Sequence, residues 1–225
     1  MDTGVTSGAR RRAMRRRPRK VFLRTRAILA GALVLGVGGI ATLAAWTDDE
    51  WATATVTSGR FGIVGSISGG AFADHPTSPG GALTFTPVLS GVYPGSAAGF
   101  TTVQVRTATT ASGGFDSVPG VVRMQTSTSA TGNLAAALVY AVRVVPSGSS
   151  CNEALFSNAS APVIVSNGTA LSVDVPTTPD APQALQAAGG NTVTFCIRIA
   201  LPTSAPDNAQ NLTTSVTWRF AGSTP

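Results

Sequence analysis

From about position 52 onward, the pattern of residues leaves little room for any secondary structure but strand. Apolar residues recur in short alternating runs that are cut at frequent intervals by Gly, Pro, Asn or Ser. In residues 101–107, Val103 and Val105 face one way while Gln104 and Arg106 face the other. In residues 213–221, Val216, Trp218 and Phe220 oppose Thr217 and Arg219. A period of two puts one face in a core and the other in water. Almost no stretch carries the charged face of an amphipathic surface helix, and Thr, Ser, Val, Ala and Gly dominate. Candidate strands are residues 53–57, 60–67, 82–86, 101–107, 121–126, 134–145, 161–165, 170–175, 192–201 and 213–221. The expected class is all-β: an antiparallel β-sandwich with Greek-key or jelly-roll wiring. Residues 181–188, closed by Gly189-Gly190, read as a short helix or a turn.

The net charge of +6 suggests a nucleic-acid binder until the charges are placed along the chain. Arg10, Arg11, Arg12, Arg15, Arg16, Arg17, Arg19, Lys20, Arg24 and Arg26 all precede residue 27, opposed there only by Asp2. From residue 27 on, six Arg face nine acids, so that part has a net charge of −3 (six minus nine). A mildly acidic body argues against nucleic acid as a partner. Residues 1–26, Arg-rich and without apolar periodicity, are not expected to pack into a core. Residues 27–45 then run without a charge. As a helix they would be about 28 Å long, close to the hydrocarbon thickness of a bilayer. A basic start, an apolar run and small residues after it describe a secretory signal peptide. The expected organisation is a leader over residues 1–44 and a secreted domain over residues 45–225, with a membrane anchor formed by residues 27–45 as the alternative. Lys20 stands where a twin-arginine signal needs its second Arg, which favours ordinary Sec export.

The junction TLAAWTDDEWATATVTSGRFGI carries a more specific pattern: Thr42 and Ala44 before a cut, Trp46 and Asp48 after it, Ser58-Gly59 at a turn, then Phe61 and Ile63. It resembles the junction of proteins exported with a SipW-type signal peptide, the TasA/camelysin-like family. Tyr93-Pro94-Gly95 ahead of a strand is similar to the Pro-Gly turn of that family, and Cys196, Leu201-Pro202 and Thr217-Trp218-Arg219-Phe220 resemble the ending of its actinobacterial members. The resemblance implies cleavage between Ala44 and Ala45 by a dedicated signal peptidase, only transient contact with the membrane through the leader, and a jelly-roll fold. Cleavage after Ala45 would put Leu43 at the third position back, where small residues are preferred.

Cys151 and Cys196 are the two cysteines of the chain, and in an exported protein such a pair most simply forms one disulfide, with two separate thiols as the alternative. The bridge would close a loop of about 46 residues and stabilise the fold by roughly 4 kcal/mol on the chain-entropy model. The family resemblance obliges a check for metalloprotease chemistry. There is no H-E-x-x-H, and His75 is the only histidine, so the usual pair of zinc ligands is missing. His75 with Asp74 or Asp116 lacks a Gly-x-Ser-x-Gly elbow to present a nucleophile, and Asp74-His75-Pro76 reads as a loop. Asp48-Asp49-Glu50 lacks the spacing of a calcium loop and reads as a solvated charge run. No catalytic residue, cofactor or metal is expected.

Two functions fit these features. The first is an extracellular structural protein, a biofilm-matrix or surface-fibre subunit. The resemblance implies that the Thr- and Val-rich segment 46–57, freed by cleavage, completes the sheet of a neighbouring subunit, with Trp46 and Trp51 as anchors. The opposing reading pairs that strand within its own domain, the tryptophans packed in the core. The second function is a monomeric cell-surface module, held by an uncleaved leader, whose loops bind a glycan or a protein.

Overall fold

The structure, a computed structural model, describes residues 19–43, 50–177 and 182–225, with the side chains of residues 21–36 in the N-terminal helix. The chain divides into two compact units, Met1–Val56 and Thr57–Pro225. In the first, α1 (Arg19–Leu43) forms over a stretch rich in Ala and Leu and free of Pro. Thr25 Oγ1 donates to Val21 O at 2.8 Å, one turn back, as a helical threonine can. Among the described residues no helix is long and apolar enough to cross a membrane. The run 27–45, on which the anchor alternative rests, extends beyond the described side chains. After α1, residues 50–56 are exposed and form no regular structure, so the strand expected at 53–57 is absent. A single strand has no ladder to close its backbone hydrogen bonds unless a second one lies beside it.

The second unit is β-rich, with two antiparallel sheets and a few short helices. The larger sheet orders its strands β1 (Ile63–Ile67), β2 (Gly99–Thr107), β7 (Val193–Ala200), β4 (Val139–Val144) and β5 (Val163–Ala170). The smaller orders β6 (Gln183–Leu185), β3 (Gly120–Thr128) and β8 (Thr217–Ser223). Alternation decides what each strand buries. Val103 and Val105 of β2, Tyr140 and Val142 of β4, and Phe195, Ile197 and Ile199 of β7 share one apolar cluster with Val122 and Met124 of β3. Trp218 and Phe220 of β8 pack against that cluster, Phe220 with its ring centroid 5.0 Å from that of Phe195.

On the other face of the larger sheet, Ala141 and Cys196 form a second, smaller cluster with Leu155, Phe156 and Ala161. The short helix α4 (Glu153–Phe156) is held there by several unlike contacts. Cys151 is joined to Cys196, with Cα atoms 5.4 Å apart. Arg198 Nε donates to Glu153 Oε2 at 2.8 Å, and Arg143 donates to the carbonyls of Phe156 and Ala161 at 3.2 and 3.1 Å. The ring of Phe100 lies 6.0 Å from that of Phe156.

Several expected strands differ from those formed. Residues 134–145 divide: α3 (Gly132–Ala137) takes the Ala-rich half, and β4 starts only at Val139, after Leu138 has turned extended. Of the expected strands 161–165 and 170–175, the first lies in β5, whose register against β4 shifts where Gly168 adopts φ +80°, while the second contributes only its first residue, Ala170. Beyond it the chain leaves the sheet, with Val175 N donating to Thr126 Oγ1 at 2.8 Å. Residues 182–188 make no α-helix. Gln183–Leu185 pair with β3 as β6, and a tight turn at Ala187–Gly189 follows. The side chain of Asn191 closes that turn, accepting from Gln186 N at 2.6 Å and donating to Ala184 O at 2.9 Å. Residue 181 lies outside the described set. Of residues 82–86, only Thr86 pairs, through a single bridge to Phe100.

Candidate functional site

Each sheet of the second unit has two edges, and the four differ in how they are closed. β5 is broken by its register shift. β6 is three residues long. β1 has its outer side bridged at Gly65 by Ala73, with both hydrogen bonds at 2.9 Å. Irregularity, shortness and cover are the usual ways of protecting a sheet edge. β8 is neither broken nor short: six residues run in register beside β3, from Trp218 opposite Thr126 to Ser223 opposite Val121, and among the described residues no strand pairs with its other side. The one bulge in this pair is on β3, between Thr126 and Thr128.

The space beside that edge is an open cavity of about 1630 Å³. One wall is the inner face of β1 and β2, with Ile63, Ile67, Val103 and Val105; the opposite wall is β8 with the chain leading into it. The cavity exists because the two sheets are unequal, five strands against three. It narrows at one end. A Cβ on Gly222 would come within 2.9 Å of Ile63 Cγ2, so the absence of a side chain lets the two edges approach there. A cavity of this size exceeds the few hundred to about 1,000 Å³ of most small-ligand pockets.

Between β1 and β2, residues 68–98 form a strap along the remaining side. Leu83, Phe85, Leu89 and Val92 pack half-buried against the core, while Val88 and Tyr93 are exposed. The Tyr93-Pro94-Gly95 turn forms as expected ahead of β2: Ser96 N donates to Tyr93 O at 2.9 Å, and Gly95 takes φ +80°. The stretch of Pro and Gly in residues 69–95 was the sequence signal for this long irregular segment. The cavity itself had no such signal, because it arises from strand counts in two different sheets.

Trp218 defines the inner end of the groove. Its indole lies against Tyr140, ring centroids 6.0 Å apart, and its Nε1–H has no acceptor among the described residues. Tyr140 donates to Val173 O at 2.9 Å. Burial, and secondarily the negative charge of Asp174, push its phenol up to about 12.

The other sequence-derived candidates fall as follows. Ala44, Ala45 and Trp46 lie outside the described residues. Trp51 is 90% exposed, which removes it from any core. His75 and Asp74 are exposed on the strap and line the cavity. Asp116 is occupied elsewhere: it accepts from Thr110 N at 2.8 Å and Thr110 Oγ1 at 3.0 Å, at the start of α2 (Thr110–Gly113). Among the described residues no three His, Cys, Asp or Glu side chains converge as metal ligands would. No family model matches the chain, and no curated protein matches it.

Proposed function

We propose that this chain is an exported structural protein of the TasA-like kind, a subunit that assembles outside the cell without catalysing a reaction. In this reading residues 51–57 of one copy add as a strand to β8 of the next. The observation that carries it is the pairing of a regular edge that has no second strand beside it with a free segment of the same chain. Residues 50–57 are exposed and unpaired, Trp51 at 90% and Val56 at 92%. Their Thr and Val content suits a strand, and seven residues would extend about 23 Å. Main-chain hydrogen bonds to β8 would supply affinity, while alternate side chains entering the groove would set register. Trp51 is the large apolar anchor within that segment, and Trp46 would be a second one just upstream.

The wiring favours a jelly-roll-like sandwich. β2, β7, β4 and β5 are neighbours in one sheet and β3 and β6 in the other, and the chain changes sheets from β2 to β3 and back at β4, then again from β5 to β6 and back at β7. One hairpin of the full motif is replaced by residues 145–162, which carry α4 and the disulfide. The Cys151–Cys196 bond fits an oxidising compartment outside the cytoplasm; removal of the leader between Ala44 and Ala45 belongs to the same reading and rests on the sequence pattern.

The test is electron microscopy of purified protein beginning at Ala45, beside a version beginning at Thr57. Filaments from the first and none from the second are expected. If the longer protein stays monomeric at high concentration, fibre assembly is refuted and the cell-surface binding module takes its place. If both make filaments, assembly holds but strand donation fails.

A further inference from the structure

We propose that the strap between β1 and β2 occupies, in the free subunit, the position of the missing strand, and that it must swing aside before β8 can take a partner. This rests on the strand-acceptor reading of the groove and adds a conformational control to it. Among the described residues the smaller sheet ends at β8 and supplies no further strand over the inner face of β1 and β2, where the strap packs instead. At one end Gly81 packs onto Ile67 of β1 so closely that an added Cβ would collide with the Ile67 side chain. At the other end a Cβ on Gly99 of β2 would lie 2.6 Å from Leu89 Cδ2 and 3.0 Å from Pro87 O.

The hold is slight for a segment of this length. Ala73 bridges Gly65 and Thr86 bridges Phe100, and Thr84 N donates to Ser68 Oγ at 2.8 Å. Gly95 N donates to Leu201 O at 3.0 Å. No continuous ladder joins these points. The strap keeps Leu83, Phe85, Leu89 and Val92 only half-buried and leaves Val88 and Tyr93 exposed at 70% and 67%. Gly80, Gly91 and Gly95 adopt φ of +74°, +66° and +80°, so the strap turns at residues that can take up a large backbone change. Few buried contacts and isolated hydrogen bonds are the marks of a segment that opens locally at low free-energy cost. A segment that half fills a groove in this way reduces apparent affinity by the fraction of time it is in place.

The unit Thr57–Pro225 holds every strand among the described residues, both apolar clusters and the disulfide, so it contains what is needed to fold alone and lacks most of the competing donor segment. A synthetic peptide of residues 50–60 is the probe. Its binding should protect amides of β8 from hydrogen exchange while raising exchange in residues 83–93. Two variants move the strap in opposite directions. Thr86→Cys with Phe100→Cys, compared with Phe100→Cys alone, pins the strap to β2 through a bridge between residues already paired, and should weaken peptide binding about tenfold or more. Gly99→Ala pushes Leu89 off the sheet and should strengthen binding, and it serves as the test if the pinned protein fails to fold. Equal affinity of the pinned and control proteins, unchanged affinity in Gly99→Ala, or binding without increased exchange in residues 83–93 overturns the proposal, as does absence of binding. If the peptide behaves as expected but the protein beginning at Ala45 makes no filaments, the strap mechanism stands and fibre assembly alone is lost.

Discussion

Trp218 on β8 and Tyr140 on β4 stack across the two sheets with centroids 6.0 Å apart and planes inclined by 29°. The pair ties the β8 edge of the small sheet to the interior of the large one. Tyr140 is 1% exposed, whereas Trp218 is only partly covered because the groove lies beside it. One aromatic contact therefore serves both the stability of the domain and the shape of the proposed acceptor site.

Trp218→Ala should cost about 3 kcal/mol, the lower end for removing a packed tryptophan, since part of this one already faces the groove. Urea denaturation measures it. The same change should abolish filament growth under conditions where the variant remains folded.

The alkaline limb of stability should report on Tyr140. Its folded-state phenol is raised from 10 to about 12, so the neutral form is favoured by the fold. That contribution is complete below pH 10 and is lost as pH rises through about 12. Melting curves across this range should fall for the wild type and flatten in Tyr140→Phe. With Tyr93 replaced by Phe, Tyr140 is the sole tyrosine, and tyrosinate absorbance should then give a midpoint near the upper value.

Replacing both Cys151 and Cys196 by Ser should lower stability by about 4 kcal/mol on the chain-entropy model. The loss should be felt first around α4, where the bond lies beside the Phe100–Phe156 contact. Earlier hydrogen exchange of residues 153–156, with β3 and β8 still protected, is the expected signature.

Arg143 and Arg198 both secure α4, but unequally. Arg143 is partly buried and donates to two carbonyls, so Arg143→Ala should cost about 2–3 kcal/mol. Glu153, the partner of Arg198, is 63% exposed, and Glu153→Ala should cost less than about 1 kcal/mol. Equilibrium unfolding of the two variants distinguishes them, and equal losses would contradict this account of how the helix is held.

The sequence by itself determined the class of the fold and much of its strand content. Alternation at Val103 and Val105 and at Trp218 and Phe220 named the faces that meet in the core, because a period of two is a local property of the backbone. The two cysteines could be paired for a similar reason: with no third cysteine in the chain, one bond is the simplest pairing. Local pattern was less able to place α3, since an Ala-rich run suits a helix as well as a buried strand, or to find β6, whose three residues acquire meaning only beside β3. The groove was beyond its reach altogether. Whether a strand is an edge depends on which strands lie beside it. Only the tertiary structure set five strands against three, left β8 without a second strand beside it among the described residues and brought the strap to line the same cavity.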